Sequence, residues 1–494
     1  MTLIQEFDQL NYSQALESDA EAQAWLQSKG RRFGHYINGA FVSAADAQLI
    51  DVTNPATGKV LAQIEAATSA QVDQAIASAR EAQPSWFSGG GLGRAKVLYA
   101  LARNLQKYAR LTAVLETLDN GKPIRESRDA DIPLAIRHFY HHAGWAKLQH
   151  QELPNHGPVG VAAQIIPWNF PLLMLAWKVA PAIAMGNAIV IKPAQQTPLT
   201  AMLFAQICHE SGVPAGVVNI ICGYGHTTGA ALVCHSGIDQ IVFTGSVPTG
   251  QAILRAATEH VVPSVMELGG KSAGIVFADA DLDQVLSSAE VGNLYNSGQV
   301  CSAMSRLIVH EDIKQELTQK LIARFGAKVI GAGIDESDVT PILTVNQLAK
   351  IDAMCEHAVN QGGQCLLGGK SLDRTGYFMP PTIIEAAHDS DIAQQEVFGP
   401  VLVLMSFTTE QQAYDLANGT EFGLVAGVFT QNINLALRAS NALVAGQVFV
   451  NEWFAGGIST PFGGVGRSGF GREKGQEALY NYVRTKNIAI RLKS

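Results

Sequence analysis

The chain has 494 residues, of which 47% are hydrophobic, 16% charged and 7% aromatic, a balance that excludes a disordered or low-complexity protein; at roughly 100–200 residues per domain, more than one packed domain is expected. With 35 Lys+Arg against 43 Asp+Glu the net charge is −8, so no global positive field attracts nucleic acid or an anionic membrane, and neither is expected as a partner. Six cysteines, none in a C-x-x-C pair, are too sparse for a disulfide framework and predict a reduced, cytoplasmic protein.

In chain order, Met1–Ala20 carries acids and no basic-then-apolar pattern, which predicts neither a secretory nor a transit leader. A β-like stretch at His35–Val42 precedes helices around Ser69–Ala82 and Ala95–Leu118 and a polar, His/Tyr-rich piece at His138–His150. From Val159 onward, strands (Val161–Ile166, Ala188–Ile191, Val217–Ile221, Gln240–Phe243) alternate with helices (Leu172–Met185, Leu199–Ser211, Thr227–Cys234, Thr249–Glu259). Thr197 and Pro198 read as the N-cap and first residue of the second of these helices. Pro171–Ile191 imitates a membrane span, but Lys178, Pro181 and the Gly186-Asn187 pair interrupt it, predicting a buried helix, a turn and a buried strand. Strands apolar on both faces and separated by helices imply a parallel, doubly wound sheet. A second series follows Gly269-Gly270: strand Ala273–Phe277, a helix holding Val285–Tyr295, strand Leu307–Val309, helix Glu311–Lys328, then strands Val401–Phe407, Ala426–Phe429 and Gln447–Val450. The final run, Asn487–Leu492, alternates like a strand that either joins another subunit or edges its own sheet.

Among the motifs, Gly223-Tyr-Gly225-His-Thr-Thr-Gly229 sits between a strand and a helix, but its spacing is one residue longer than G-x-G-x-x-G. Gly245-Ser246-Val-Pro-Thr-Gly250 is either a plain strand-to-helix turn or a pyrophosphate site at a helix start. Gly270-Lys271-Ser272 and Gly369-Lys370-Ser371 lack the upstream glycine of a phosphate-binding loop, and no His/Cys/Asp/Glu cluster has metal-ligand spacing, so no metal is expected. Four further motifs are Pro167-Trp168-Asn169-Phe170-Pro171, Glu267-Leu268-Gly-Gly-Lys271, Gly298-Gln-Val300-Cys301 and Glu396-Val-Phe398-Gly-Pro400. Cys301 follows a Gly-Gln turn, where a loop presents a thiol and nearby amides favour thiolate. Glu267 lies between an apolar strand, Val261–Met266, and a Gly-Gly turn, which is the carboxyl edge of a parallel sheet, where α/β ligands bind. Asn169 either serves chemistry or caps the helix beginning at Pro171.

Together with Lys192-Pro193 and Pro461-Phe462-Gly-Gly464, these motifs resemble the NAD(P)-dependent aldehyde dehydrogenase superfamily, in the family's order and across most of the chain. The resemblance implies a Rossmann-like dinucleotide-binding domain (1–130 and 151–262), a second α/β catalytic domain (263–460) and a small β oligomerisation arm (131–150 and 478–494), in a homodimer or homotetramer acting on a small-molecule aldehyde. It implies Cys301 as nucleophile, Asn169 with the Cys301 N–H as oxyanion holder, Glu267 as the base that activates water on the thioester, and Lys178 in proton relay. Cofactor contacts would come from Ile166, Pro167, Trp168, Lys192, Gln195, Gly225, Phe243, Gly245, Ser246, Leu268, Glu396 and Phe398. Phe170, Met174, Trp177, Val300, Ser302, Trp453 and Phe462 would line a substrate funnel, although a Phe170/Met174/Trp177 stripe at helical spacing is equally the pattern of plain core.

Two departures from the family pattern alter these expectations. Gln195 replaces the acid that accepts a ribose 2′-OH and repels a 2′-phosphate, which predicts NAD with measurable NADP use. Gln476 stands where a relay glutamate is expected, which puts the relay through Lys178 in doubt. Gly456-Gly457 stands where some relatives place an aromatic, widening the mouth. No Arg or Lys stands out as a carboxylate clamp, so a neutral aldehyde is expected. The competing readings are a CoA-acylating dehydrogenase, which would lack a base such as Glu267, and a non-catalytic structural relative, which would lack Cys301 or Glu267.

Overall fold

A computed structural model describes residues 17–492, so the first sixteen residues, on which most of the leader reading falls, and the last two lie outside it. Two sheets organise the molecule. The first has eight strands in the order Gly469–Phe470, Ser264–Glu267, Gln240–Thr244, Val161–Ile165, Ala188–Lys192, Val218–Ile220, His35–Ile37 and Ala40–Val42. Its five central strands run parallel. The chain winds outward from Val161–Ile165 to Val218–Ile220, then returns to the other side with Gln240–Thr244 and Ser264–Glu267. The strand order therefore reverses beside Val161–Ile165, and the crevice at the carboxyl ends of such a switch point is where this topology binds ligands.

The second sheet orders Gln364–Leu367, Thr382–Glu385, Val401–Phe407, Met304–His310, Ser272–Val276, Val425–Phe429 and Gln447–Val450, all parallel except the first. Three-stranded and two-stranded sheets complete the described β structure, the former from Arg32–Phe33, Val60–Glu65 and Leu49–Thr53. The expected alternation of strands and helices is present in both halves within a few residues of its boundaries.

Several expectations are corrected. Residues 131–150 are not part of a β arm: Ile132–Glu152 is one helix, with Ala135, Phe139, Ala143 and Ala146 in the core shared with Gly90–Lys107 and Pro171–Ala184. Its alternating His and Tyr hid an apolar stripe carried by small residues. The small β pair is His156–Pro158 with Val483–Thr485, and Asn487–Leu492 makes no strand. Thr197 does not cap its helix, because its hydroxyl donates to the Trp168 carbonyl at 3.2 Å while Asp119 accepts the Leu199 N–H at 2.9 Å. Nor does Asn169 cap the helix Pro171–Ala184. That helix is buried on all sides, which is why its sequence imitates a membrane span. Among the described residues no helix is long and apolar enough to cross a membrane.

Candidate active site

Cys301 lies on the loop between the helix Leu282–Leu294 and the strand Met304–His310. The loop turns through three consecutive left-handed residues, Asn296 (φ 46°), Ser297 (φ 53°) and Gly298 (φ 73°). Each non-glycine in that region costs about 1–2 kcal/mol, so the turn needs external support. Glu126 accepts the Asn296 N–H at 2.9 Å, the Asn296 amide donates to the Asn169 carbonyl at 2.9 Å, and the Ser297 hydroxyl donates to the Thr340 carbonyl at 2.8 Å. Only glycine serves at position 298, where a Cβ would stand 2.1 Å from the Gly399 carbonyl oxygen. The Asn169 side-chain amide donates to the Gln299 carbonyl at 2.9 Å, which brings Asn169 onto the cysteine loop and leaves its second N–H uncommitted among the described residues.

The sulfur's surroundings differ from expectation. Backbone N–H groups of Ser302 and Cys301 do favour the thiolate, but burial, then the carboxylates of Glu396 and Glu267, outweigh them and push the thiol up to about 12. The resting group is therefore a thiol, not a thiolate.

Glu267 ends the strand Ser264–Glu267, and neither carboxylate oxygen has a hydrogen-bond partner among the described residues. Burial, reinforced by the nearby Glu473 charge, holds it well above the usual carboxylate range. Its Oε1 lies against Gly463, where a Cβ would approach to 2.6 Å. Lys178 is fully buried and donates to the Thr244 hydroxyl at 2.6 Å and to Glu473. Gln476 is exposed, and its amide reaches only the Tyr480 hydroxyl, at 3.4 Å. The lysine's carboxylate partner is instead Glu473, three residues earlier. A lysine inside an apolar helix demands such a partner, and that was the available signal.

The expected cofactor residues converge on the carboxyl edge of the first sheet. Ile166, Pro167 and Trp168 follow one strand, Lys192 ends the next, Gly245 and Ser246 follow Gln240–Thr244, and Leu268 follows Glu267. Ser246 begins the helix Val247–Ala257 but caps none of its N–H groups, bonding instead to the Thr249 hydroxyl at 3.0 Å. Phe243 packs beneath Gly245 and Leu268 beneath Gly250. Lys192 is buried with, among the described residues, only the Pro193 carbonyl as partner, 3.0 Å away, and burial lowers its ammonium to about 8. Such a cation, at the same sheet edge as a helix start that no side chain caps, suits a dinucleotide's hydroxyls and phosphates. Gln195 is half-buried and Gly225 exposed at the same edge. From the second domain, Phe398 meets Trp168 edge-on at 5.1 Å. Glu396, raised by burial to about 7, accepts the Gly270 N–H at 3.1 Å. Gln347, missed in the sequence, donates to the Val397 and Phe398 carbonyls at 2.9 and 3.1 Å and steadies the left-handed Phe398 (φ 58°).

Of the expected funnel, Phe170 stacks on Tyr295 at 6.1 Å and Trp177 meets Phe462 at 5.3 Å. Met174, Val300 and Ser302 are buried. Trp453 departs from its expected place. Its ring packs against Gly292 and Gly427 in the second core, and its N–H donates to the Ser302 carbonyl at 3.1 Å, so it props the cysteine loop from behind. Tyr295 and Phe454, paired at 5.9 Å, were not anticipated. Nor was Lys474, whose Nζ lies 5.3 Å from the Trp177 ring centroid, a cation on the wall that had been read as having none.

Residues 41–488 match the model of the aldehyde dehydrogenase family. Retinal dehydrogenase 2 of Homo sapiens is 39% identical over 473 residues, covering 92% of this chain and 91% of that protein. Aldehyde dehydrogenase family 2 member B4, mitochondrial, of Arabidopsis thaliana is 41% identical over 474 residues, covering 92% and 88%. The solved NAD+ complex of an aldehyde dehydrogenase from Bacillus cereus aligns with a TM-score of 0.93 at 38% identity, covering 97% of this chain and all of that one.

Proposed function

The chain belongs to the aldehyde dehydrogenase family and is an enzyme, and from that premise we propose that it oxidises an aldehyde to the carboxylic acid with NAD through a thioester on Cys301. The observation that carries this reading is the Asn169–Gln299 bond of 2.9 Å, which joins the end of a first-domain strand to the loop of the reactive cysteine. The Cys301 thiol gives its proton to solvent, which leaves Glu267, with no hydrogen-bond partner of its own among the described residues, ionised for the second half of the reaction. The sulfur adds to the aldehyde carbon, and the free Asn169 N–H with the Cys301 backbone N–H receives the oxyanion. The hydride leaves this carbon, and bound NAD would supply its acceptor. Glu267 then takes a proton from water, whose hydroxide adds to the thioester carbon as the sulfur leaves. The net balance is aldehyde, NAD+ and water giving acid, NADH and a proton. Lys178 and Glu473 set the charge around Glu267 and touch no reacting atom.

For the cofactor, Lys192, Ser246, Glu396 and the Trp168–Phe398 pair would hold NAD, and Gln195 leaves room for NADP. The assembly in this reading is a homodimer or homotetramer in the cytoplasm. The exposed Ile488, Ile490 and Leu492 beyond the His156–Pro158/Val483–Thr485 pair support the first, and the six free cysteines the second.

The test is a rapid-mixing experiment with excess aldehyde and NAD. Glu267→Gln is expected to keep an NADH burst of one equivalent per site while steady turnover falls about 10²–10⁴-fold, and Cys301→Ala to abolish both. Steady turnover in Glu267→Gln within about tenfold of the unaltered enzyme, or any burst in Cys301→Ala, would refute the mechanism.

A further inference from the structure

Lys474 follows Glu473 directly and sits in the left-handed region (φ 62°), a conformation that costs a residue with a Cβ about 1–2 kcal/mol. An outlier of this kind beside a reaction centre asks for a function. Its ammonium lies 5.3 Å from the Trp177 ring centroid, and Trp177 meets Phe462 at 5.3 Å. Phe462 and Glu473 exchange two backbone hydrogen bonds of 2.7 Å, so the lysine's backbone is fixed to the same wall as the two aromatic rings. Among the described residues no carboxylate lies within 4 Å of the Lys474 Nζ. Its neighbour Glu473 is committed to Lys178, and Glu477 folds back against Gly475, where a Cβ would stand 2.9 Å from Glu477 Oε2. Burial without a counter-charge lowers the ammonium. The Trp177 indole N–H is buried with no acceptor, and a buried donor left unmade is costly. The indole N–H is enclosed, whereas the ammonium over the same ring is only partly buried and has no carboxylate among the described residues, so an anionic oxygen from outside would complete it.

We propose that Lys474, held over the Trp177 ring, receives a carboxylate at the far end of the substrate, so that the preferred aldehydes carry an ω-carboxylate. The assignment rests on the oxidation proposed above and names its substrate class. A partly desolvated ammonium–carboxylate contact favours its ligand by about tenfold over the uncharged analogue.

The experiment measures kcat/KM with NAD for 4-oxobutanoate, 5-oxopentanoate and 6-oxohexanoate, each against the unsubstituted aldehyde of equal carbon number. In the unaltered enzyme the ratio of charged to neutral substrate is expected to exceed ten for at least one length. In Lys474→Met that ratio falls at least fivefold through KM, and in Lys474→Arg it is retained. Because the ratio is taken within one variant, any effect on chemistry common to both substrates cancels. A ratio of one or less at every length, or an unchanged ratio in Lys474→Met, overturns the assignment. Oxidation of the neutral series alone would remove the role of Lys474 and leave the proposed reaction standing, whereas absence of NADH from both series would remove the two together.

Discussion

Replacing Glu473 by glutamine tests whether the buried pair with Lys178 governs the base. The two side chains are 0% and 3% exposed, and breaking a buried pair while one charge remains costs about 3–5 kcal/mol. The Thr244 hydroxyl at 2.6 Å still accepts from Lys178, and a glutamine oxygen still accepts in place of the carboxylate, so the lower end, about 3 kcal/mol, is expected. The catalytic consequence has a definite sign. Glu267 is raised first by burial and second by the Glu473 charge, while Lys178 and then Arg472 act to lower it. Glutamine removes the raising charge and leaves the lysine unopposed, so both changes lower Glu267. An acid that titrates lower is ionised, and able to accept a proton, at lower pH. The acidic limb of kcat against pH should therefore move down by about one unit, with a modestly lower plateau because the weaker base is the poorer proton acceptor. Steady-state kcat from about pH 5 to about pH 10, with thermal unfolding alongside, measures both effects, and Gln476→Ala serves as the silent control. A limb that stays in place or moves upward would refute the coupling, whatever happens to stability.

Asn169→Ala is expected to lower kcat/KM about 10²–10³-fold, the usual cost of one oxyanion donor, which steady-state kinetics with a saturating cofactor would measure. In cofactor-free protein, Glu396→Gln should speed iodoacetamide alkylation of Cys301 at about pH 8–9, because Glu396, titrating near 7, is then an anion that raises the thiol; at about pH 6, where Glu396 is protonated, the variant should match the unaltered protein. Gln195→Glu should raise the preference for NAD over NADP by about tenfold or more, since a carboxylate repels a 2′-phosphate.

The alternation of two-sided apolar strands with helices was legible because burial on both faces leaves a composition signal that needs no partner. The helix Ile132–Glu152 was not, since its stripe of alanines is interspersed with histidines that burial keeps uncharged, His138 and His142 among them. Cys301, Glu267 and Asn169 could be named because each sits in a motif bounded by Gly or Pro. Glu473 and Lys474 also stand between glycines, Gly471 and Gly475, but in a run that matched no recognised motif. Their significance depends on which distant residue each faces, Lys178 from across 295 positions and Trp177 from across a similar stretch, and only the folded chain reports that. The expected thiolate failed for the same reason: local amides were legible, but two carboxylates arriving from other elements were not.

The order of the motifs follows from how the two sheets meet. Glu267 ends a strand of the first sheet, whereas Gly270, Cys301 and Pro400 each precede a strand of the second, at Ser272, Met304 and Val401. The carboxyl edge of one parallel sheet thus faces the amino edge of the other, and the chain crosses between them through Gly269 and Gly270. A Cβ would stand 2.3 Å from Glu396 Oε2 at the first, so the carboxylate would have to move, and 2.5 Å from the Cys301 backbone carbonyl at the second, where the backbone leaves no room. Glu267 and Cys301 are consequently carried by the edges of different sheets, and the Asn169–Gln299 bond, the Trp168–Phe398 contact and this two-glycine crossing join those edges. A side chain at Gly270 would therefore push on the backbone of the Cys301 loop itself, so a substitution there is expected to disturb the proposed reaction more than one at Gly269, whose obstacle is a movable carboxylate.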